Sequence, residues 1–380
     1  MESRMSFVSR GLIVGGGIAG LASAIALRQA GVEIDVAEIG DLRPVGAGIG
    51  LAGRAPNALD ELGVYNEVVA TGQPGLGAPA MHDAAGRVLT VPPSPREIPG
   101  ALEAIGAYRP TLAEVLCKRA ASLGAKIETG LSIKSIDDSA SAAVVKMTDG
   151  EVRSYDLVIG ADGINSRTRS IVFPDAPEPQ YAGQMSIRWV FPSDPIDGEG
   201  WYIAGELGRM AFYHQPYPNA IYAPMVINMP RTRLSQQGAY DVVKRLTDSY
   251  TAPPIVELRS HLTPDSELIA RPFDWILMGR SSWHRGRTLL IGDAAHATTA
   301  HMGMGGGMAL EDAVVLGHCI TASSSLEQAY QAFVDRRYER VRTVVETSVA
   351  LSKREQQNLP PGPENAQLMG KAMAVLSQPY

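Results

Sequence analysis

A glycine-rich turn near the start of the chain constrains its fold more than any other feature. Residues 12–14 form a short apolar run of the kind that makes a buried parallel strand. Gly15, Gly17 and Gly20 follow with the spacing G-x-G-x-x-G. The Ala- and Leu-rich segment from residue 18 to residue 30 then predicts a helix. This order predicts the strand, turn and helix that open a βαβ unit.

Each glycine of the turn has a physical reason to lack a side chain. Gly15 permits a tight turn, Gly17 lets the backbone approach a pyrophosphate, and Gly20 lets the helix pack closely on the strand. The helix begins at Ile18 and Ala19, where free N–H groups and the positive end of the helix dipole attract phosphates. We therefore expect these five residues to bind a dinucleotide.

A second strand and an acidic residue complete the unit. Residues 32–36 alternate between apolar and polar side chains, and Glu38 follows them. An acid about 20 residues beyond the glycine turn typically meets the ribose hydroxyls of a bound nucleotide. A glycine-rich turn alone could belong to any βαβ unit, but here the strand, helix, second strand and acid are all in register. The turn does not distinguish FAD from NAD(P).

The composition excludes several classes of function. The chain has 380 residues, 45% of them hydrophobic and 19% charged, which is typical of a soluble enzyme. A formal net charge of −6 argues against binding to nucleic acid or to an anionic membrane surface. Cys117 and Cys319 lack metal-ligand spacing, so we expect no metal site. The first ten residues do not have the pattern of a signal peptide, and we expect a cytoplasmic protein without stable membrane association.

Two later motifs narrow the choice of nucleotide. Residues 160–169 have the form G-A-D-G-x-x-S-x-x-R, and residues 287–296 have the form R-x-x-L-x-G-D-A-A-H. In both, an aspartate (Asp162 or Asp293) follows an apolar strand, where open α/β sheets bind their ligands. Each could be an ordinary turn with a capping aspartate. Their presence together and in this order favours binding of a flavin nucleotide.

With these motifs the chain resembles the single-component class A flavoprotein monooxygenases, the aromatic hydroxylases of the para-hydroxybenzoate hydroxylase type. The resemblance extends from Gly11 to about Ser352. It implies an α/β fold in which a Rossmann-like FAD-binding domain carries an inserted, mainly antiparallel β-sheet substrate domain and C-terminal helices. FAD would be bound non-covalently.

The resemblance also implies roles for individual residues. Glu38 would bind the ribose, Arg109 would lie near the FAD phosphates, and Asp293 would meet the ribityl chain. Asp162 would serve both FAD and NAD(P)H, with Arg169 in the same motif. The full set of expected cofactor-binding residues is Gly15, Gly17, Ile18, Ala19, Gly20, Glu38, Arg43, Gly48, Arg109, Asp162, Gly163, Arg169, Gly292, Asp293, Gly303, Gly305 and Gly306.

The sequence departs from the family pattern at the expected flavin ring. The prolines that usually follow G-D-A-A-H are absent, since residues 296–300 read H-A-T-T-A. The usual G-Q-G-x-N turn is G-M-G-G-G at residues 303–307. Such a turn still exposes N–H groups towards the flavin, but the amide of the usual asparagine is missing.

The domains are expected to be discontinuous. Residues 1–72, 101–175 and 272–325 would form the FAD-binding domain, and residues 73–100 and 176–271 the substrate domain. Residues 326–380 would be a C-terminal helix followed by a loosely packed tail. Within the substrate domain we predict strands at Met185–Phe191, Met210–His214 and Ala220–Asn228.

The resemblance implies hydroxylation of a small aromatic or heteroaromatic ring of the hydroxybenzoate, phenol or hydroxypyridine type. NADH or NADPH would reduce FAD, O2 would form the flavin C4a-hydroperoxide, and its distal oxygen would be transferred to the ring. No second G-x-G-x-x-G follows Glu38, which agrees with a nicotinamide that binds transiently. An FAD-dependent oxidase or dehydrogenase of an amine or hydroxy acid is the alternative, and a non-catalytic flavin-fold binder is a third reading. We expect a monomer or homodimer.

Oxygen transfer of this kind favours a ring hydroxyl ionised towards phenolate, which calls for a base near the substrate. His214 follows two aromatic residues on a predicted strand, and His301 lies between Asp293 and the glycine turn. These two histidines are the first candidates, followed by Tyr217 and Tyr222. The predicted sheet also supplies candidate pocket walls, of which one face of each strand would point inward: Trp189, Trp201, Tyr202, Phe212, Tyr213, Tyr217, Tyr222 and Met225.

Overall fold

The structure, a computed structural model, describes residues 7–42, 48–75, 79–90, 98–138, 141–359 and 362–380. Its strands are β1 Arg10–Val14, β2 Glu33–Glu38, β3 Gly48–Leu51, β4 Gln73–Pro74, β5 Met81–His82, β6 Val88–Thr90, β7 Ile105–Tyr108, β8 Lys126–Thr129, β9 Ile133–Asp137, β10 Ala143–Met147, β11 Val152–Tyr155, β12 Leu157–Gly160, β13 Gln180–Pro192, β14 Gly200–Ile203, β15 Gly208–Gln215, β16 Ala220–Asn228, β17 Leu268–Trp275, β18 His284–Arg285 and β19 Thr288–Leu290. Its helices are α1 Ile18–Gln29, α2 Ala55–Glu61, α3 Tyr65–Thr71, α4 Arg109–Ser122, α5 Arg167–Val172, α6 Gln236–Asp248, α7 Pro253–Ser260, α8 Asp293–His296, α9 Gly305–Ala322, α10 Leu326–Gln356 and α11 Pro363–Leu376.

A six-stranded sheet brings the three sequence motifs to one edge. The strand order is β18-β19-β12-β1-β2-β8, and every pair is parallel except β18–β19. β1, β12 and β19 are neighbours, and each leads at its carboxyl end into one of the motifs. These central strands are short and buried on both faces, as is typical of parallel sheets covered by helices. The Rossmann-like part of the predicted fold is confirmed.

Helix α1 is buried on nearly all sides. Its nine consecutive residues from Ala19 to Leu27 are inaccessible to solvent, so it is a core helix rather than an amphipathic surface helix. It packs between α4 and α9. Small side chains make this close packing possible, because a Cβ added at Gly317 of α9 would lie 3.1 Å from the Cβ of Ala26.

A seven-stranded sheet, ordered β17-β13-β16-β15-β14-β5-β6, forms the second layer. Its strands pair antiparallel except at β14–β5. One face carries apolar side chains such as Ile187 and Met225 and packs on α6 and α7. The mainly antiparallel sheet of the predicted fold is therefore present. The boundary expected at residue 271 falls inside β17, which pairs with β13 as far as Trp275.

Two small antiparallel sheets flank these layers. β3, β7 and β4 form one sheet, and β9, β10 and β11 form the other. The predicted Asp149–Gly150 turn connects β10 with β11, and Gly150 has φ = +102°. β3 lies against the large sheet. Gly48 is so close to this sheet that a Cβ added to it would be 2.6 Å from Cδ1 of Tyr222 in β16.

We expected a loosely packed tail after α10. This prediction is wrong for residues 363–376, which form α11. Arg340 of α10 donates hydrogen bonds to the carbonyl groups of Val375, Leu376 and Gln378. These carbonyls lie at the end of α11, where helical partners are missing. The helix is held by contacts with a residue distant in sequence, and local composition does not encode such contacts. Among the described residues, no helix has the length and apolar character needed to cross a membrane.

Candidate functional site

The glycine turn after β1 has the geometry that its spacing predicts. Gly15 has φ = +110°, and a Cβ there would be 2.4 Å from the carbonyl oxygen of Ala161. A Cβ at Gly20 would be 1.9 Å from the carbonyl oxygen of Gly15, so α1 packs directly on the turn. A Cβ at Gly17 would meet no described atom within 4 Å. The turn therefore has no room for a side chain at Gly15 or Gly20, whereas the space beside Gly17 is open.

The start of α1 has the character of an anion site. Gly17 precedes the helix, and no described side chain caps it. The first N–H groups of the helix, at Ile18 and Ala19, therefore lack a side-chain acceptor there. Glu38 lies beside this turn, where its carboxylate accepts hydrogen bonds from the backbone N–H of Gly16 at 2.5 Å and of Gly40 at 2.7 Å. Its neighbour in the expected set, Arg43, is outside the described residues.

The motif at residues 287–296, called the G-D motif below, lies beside the same helix start. Gly292 has φ = +56°, and a Cβ there would be 2.8 Å from the Cβ of Ala19. The next residue, Asp293, is exposed, and no described group hydrogen-bonds its side chain. The structure thus presents a free carboxylate next to the open glycine turn, an arrangement that suits a ligand rich in hydroxyl groups.

The aspartate of the motif at residues 160–169, called the D-G motif below, has a different environment. One oxygen of Asp162 accepts from the hydroxyl of Ser166, and the other accepts from the N–H and the hydroxyl of Thr168 at 2.9 and 3.0 Å. This carboxylate caps α5. The adjacent Gly163 has φ = +77° with open space at its Cβ position.

Arg169 joins the two later motifs. It is buried, and its guanidinium donates to the carbonyl groups of Ile164 at 2.7 Å and of Ala294 at 2.9 Å. Burial lowers the pKa of this guanidinium from its ordinary value. The arginine therefore connects the loop that follows β12 with the backbone directly after the free Asp293. Direct contacts of Asp162 and Arg169 with a cofactor stay predictions.

The glycine turn at residues 303–307 leads into α9, and its last three residues, 305–307, belong to the first turn of that helix. The helix begins at Gly305, and no side chain caps its start. A Cβ at Gly306 would lie 2.4 Å from Cδ1 of Ile49 in β3. Gly303, with φ = +66°, precedes this turn and has open space around it. A second uncapped helix start thus lies against β3.

The large sheet presents a polar and aromatic face towards β3. The register pairs Tyr213 with Tyr222, and Arg209 with Val226, so these side chains share the face opposite the apolar core. Trp201 is on this face as well, and the guanidinium of Arg209 lies over its ring at 3.9 Å. The other predicted wall residues in the described sheet belong to the core on the opposite face: Trp189, Tyr202, Phe212 and Met225. Sequence could not assign these faces because strand register was unknown.

The remaining candidate bases on the sheet lie elsewhere. His214 shares the core-side face with Phe212, and its Nε2 contacts Oδ1 of Asn219 at 2.7 Å. Tyr217 lies in the turn between β15 and β16 and is 57% exposed. The structure does not bring these two residues together with Tyr222.

His301 lies in a buried charged cluster. Its Nδ1 is 2.9 Å from the hydroxyl of Thr299, and its Nε2 is 3.4 Å from Oε2 of Glu355 in α10. The same carboxylate oxygen is 2.8 Å from Nε of Arg209. Neither Nε2 of His301 nor Nε of Arg209 has the geometry of a hydrogen bond to this oxygen in the structure. Sequence reasoning missed Glu355, because nothing in the pattern of α10 marks it.

The charges of this cluster determine its protonation. Burial lowers the pKa of His301, and the nearby Arg209 adds to this effect, whereas Glu355 opposes it. Burial alone would raise the pKa of Glu355, but Arg209 and His301 bring it below its ordinary value. The cluster therefore holds a neutral imidazole beside an ionised carboxylate whose negative charge is balanced by Arg209.

A second buried ionic cluster holds the G-D motif in place. Oδ2 of Asp312 in α9 accepts from the backbone N–H of Gly292 at 3.0 Å and contacts Nε2 of His296 at 2.6 Å. The His296 ring also stacks on Trp283 with 5.3 Å between ring centres. The histidine of the motif therefore has a structural role.

Two arginines of α10 neutralise the acids of α9. Arg337 donates to Asp312 at 2.8 Å and to Glu311 at 2.6 Å, and Arg340 donates to Glu311 at 2.6 Å. All four side chains are buried. Burial would raise the pKa of Asp312, but His296 and Arg337 hold it below the ordinary value. Glu311 and Asp312 of α9 thus connect the expected cofactor site with the C-terminal helices.

Comparisons with known proteins agree with this geometry. Residues 9–351 match the family described as FAD binding domain. The 2-heptyl-3-hydroxy-4(1H)-quinolone synthase of Pseudomonas aeruginosa is 31% identical over 343 residues, which cover 87% of this chain and 86% of that protein. The FAD-dependent urate hydroxylase of Klebsiella pneumoniae is 28% identical over 344 residues, 88% of each chain. A crystal structure of Klebsiella pneumoniae HpxO complexed with FAD and uric acid is similar with a TM-score of 0.78 at 25% identity, covering 97% of this chain and 92% of that one.

Proposed function

The chain belongs to the FAD-binding domain family and is an FAD-dependent aromatic monooxygenase, and from that premise we propose that it hydroxylates a small heteroaromatic or phenolic ring with NADH or NADPH as electron donor. The observation that carries this proposal is the contact between Tyr222 and Gly48 of β3. This contact places the polar face of the large sheet against the side of the FAD-binding fold on which α9 begins. A flat ring fits such a boundary between two layers.

The described residues fit FAD. The open backbone at Gly17 and the uncapped start of α1 suit the pyrophosphate. Glu38 beside them suits the ribose, and the free carboxylate of Asp293 suits the ribityl hydroxyls. Bound FAD would supply the redox chemistry, taking a hydride from the nicotinamide and delivering activated oxygen to the ring.

The protein would position the ring and exclude water. We assign the wall of the ring site to the sheet face that carries Tyr213, Tyr222 and Trp201. Burial raises the pKa of Tyr222, although Arg188 and Arg109 oppose the shift. This phenol is therefore protonated near neutral pH and acts as a hydrogen-bond donor to the substrate rather than as its base.

His301 is the residue that we propose as proton acceptor. It lies between Asp293 and the start of α9, and its lowered pKa keeps it neutral at physiological pH. The hydroxyl of Thr299 at its Nδ1 would pass the proton from a ring hydroxyl, and Glu355 would stabilise the imidazolium that forms. His214, on the opposite face of the sheet, and the exposed Tyr217 have less support for this role.

Anaerobic stopped-flow measurements on the FAD-loaded enzyme test the proposal. We expect NADH or NADPH to reduce the flavin, and a ring such as 4-hydroxybenzoate, 6-hydroxynicotinate or uric acid to accelerate that step. In air, the accelerating ring should give a hydroxylated product.

Two tyrosine variants test the assigned wall of the ring site. Tyr222→Phe should lower the amount of product per nicotinamide oxidised or raise the KM for the ring by about 10-fold, as loss of one hydrogen bond predicts. Tyr217→Phe should change neither quantity by more than about twofold.

The alternative, an FAD-dependent oxidase or dehydrogenase, gives a different result in the same experiment. An amine or hydroxy acid would then reduce the flavin without any nicotinamide. That observation, or rapid nicotinamide oxidation that no aromatic ring stimulates, would contradict the proposed hydroxylase.

A further inference from the structure

A short segment after α11, residues 377–380, is bonded to both ends of helix α2 and is called the strap below. The guanidinium of Arg54, at the start of α2, donates hydrogen bonds to the carbonyl oxygens of Ser377 at 3.1 Å and Pro99 at 3.0 Å. At the other end of α2, Oε1 of Glu61 accepts a hydrogen bond from the phenol of Tyr380 at 2.7 Å. Burial and this hydrogen bond raise the pKa of Tyr380, so the phenol keeps the proton that it donates.

The strap is also bonded to helices that are distant from α2 in sequence. Nε2 of His318 in α9 is 2.9 Å from Oε2 of Glu61, the residue that accepts from Tyr380. Arg336 of α10 donates to the carbonyl oxygen of Tyr380 at 2.8 Å. The strap therefore holds α2 in its place beside α9 and α10 through polar contacts.

Helix α2 in turn touches the turn at which the flavin ring is expected. A Cβ added at Gly307, in the first turn of α9, would be 3.1 Å from the Cβ of Ala55, the first residue of α2. A Cβ added at Gly53 would be 3.4 Å from Cε of Met304, the residue before α9. Strand β3 precedes Gly53 and packs on the same turn of α9. A displacement of α2 would therefore disturb this turn.

Helix α11, which leads into the strap, buries few apolar side chains. Of its fourteen described residues, only Ala372 and Leu376 are buried. Helix α1, by contrast, buries nine consecutive residues. Segments that bury little apolar surface open at a lower free energy than the core of a protein. We therefore expect α11 and the strap to open and close while the rest of the fold stays intact.

We propose that α11 and the strap form a latch whose closure is coupled to FAD binding. The closed latch keeps α2 and β3 in the arrangement that binds the flavin, and the latch is more stably closed when FAD is bound. Such coupling is reciprocal, because a ligand that prefers the closed form shifts the protein towards it by the same factor. The inference goes beyond the proposed hydroxylation and rests on the fit of the described residues to FAD.

Hydrogen exchange followed by mass spectrometry tests the latch without turnover. In the protein without FAD, peptides from residues 363–376 should exchange faster than those from β1 and β12, which are buried strands of the core. Saturating FAD should slow the exchange of residues 363–376 by about fivefold or more, as is typical of coupled sites.

Variants assign this coupling to the strap. Arg54→Met removes the bond between α2 and the strap, so it should speed the exchange of residues 363–376 about 10-fold without FAD and reduce the effect of FAD to less than about twofold. Tyr380→Phe removes one hydroxyl, should act in the same direction, and keeps the test open if Arg54→Met does not fold. Arg342→Met removes an exposed arginine of α10 that pairs with Glu339, and this control should behave like the wild type.

Three results would overturn the inference and leave the proposed hydroxylase function intact. The first is exchange of residues 363–376 at the rate of β1 and β12, which would show that α11 does not open separately. The second is equal exchange of α11 with and without FAD, although a flavin titration shows that FAD is bound. The third is a full effect of FAD in both Arg54→Met and Tyr380→Phe. If the protein does not bind FAD at all, the proposed function fails, and this inference fails with it.

Discussion

Two aspartates with the same position relative to their strands differ in their hydrogen-bond partners. Asp162 and Asp293 each follow an apolar strand and a glycine, yet the oxygens of Asp162 are occupied by Ser166 and Thr168, while Asp293 is exposed and free of protein partners among the described residues. A carboxylate that already caps a helix has less capacity to bind a ligand. The free Asp293 is therefore the stronger candidate for a direct cofactor contact.

At the same scale, Glu355→Gln should shift the pH dependence of the reaction. The Glu355 carboxylate raises the pKa of His301 against burial and Arg209, so replacing it with a neutral amide should lower that pKa further. As the base that we propose, His301 must be neutral, so activity should be lost as the pH falls through its pKa. The acid limb of the kcat/KM profile should therefore move to lower pH.

The measurement has two independent readouts. The pH profile reports the base in the reaction, and NMR titration of the imidazole, assigned with His301→Gln, reports the pKa without turnover. Glu364→Gln removes an exposed carboxylate that pairs with Arg354 and should leave both unchanged. An acid limb that stays in place in Glu355→Gln would show that Glu355 does not act on the base.

At the scale of elements, the turn between β1 and α1 combines a structural and a binding function. Gly20→Ala would place a Cβ 1.9 Å from the carbonyl oxygen of Gly15, an overlap with backbone that cannot be relieved locally. Gly17 has φ = −76°, which any residue adopts, and its Cβ position is open. Gly20 supports packing, and Gly17 leaves open the space in which we expect the cofactor phosphates.

This difference predicts opposite behaviour of two alanine variants. Gly20→Ala should lower the free energy of unfolding of the apoprotein by more than about 2 kcal/mol, as overpacking does. Gly17→Ala should leave it within about 0.5 kcal/mol and weaken FAD binding by at least about 10-fold, because the methyl group occupies the space for the phosphates. Urea unfolding and flavin titration measure the two quantities. Unchanged FAD binding in Gly17→Ala would show that the open space is not the phosphate site.

At the scale of the whole molecule, α10 connects distant parts of the chain. Arg337 and Arg340 pair with the acids of α9, which in turn hold Gly292, and Glu355 at the far end of α10 reaches His301. The same helix holds the end of α11. The C-terminal region is thus part of the support of the candidate site.

Arg337→Met should therefore destabilise the whole fold. Removal of this arginine from the buried ion-pair network leaves Asp312 without an arginine partner and Glu311 with Arg340 alone, and breaking such a network costs about 3–5 kcal/mol. Arg342→Met, which breaks an exposed pair with Glu339, should cost less than about 1 kcal/mol. Chemical unfolding at pH 7 measures both, and equal losses would show that the network does not carry the predicted energy.

What the sequence determined by itself is the βαβ unit and the location of the motifs at strand ends. Gly15, Gly17 and Gly20 encode their turn locally, and short apolar runs predict the buried parallel strands. The order of the motifs predicted the FAD-binding fold, because a parallel sheet brings the carboxyl ends of its strands to one edge.

The tertiary structure alone decided which polar groups are free and which are paired. It separated His214 from Tyr222 on opposite faces of one sheet, since strand register depends on pairing between distant segments. It joined Glu355 to His301 and Arg54 to the carbonyl group of Ser377, although nothing near these residues in sequence marks them. Turns and strands depend on neighbours along the chain, whereas charge compensation depends on neighbours in space.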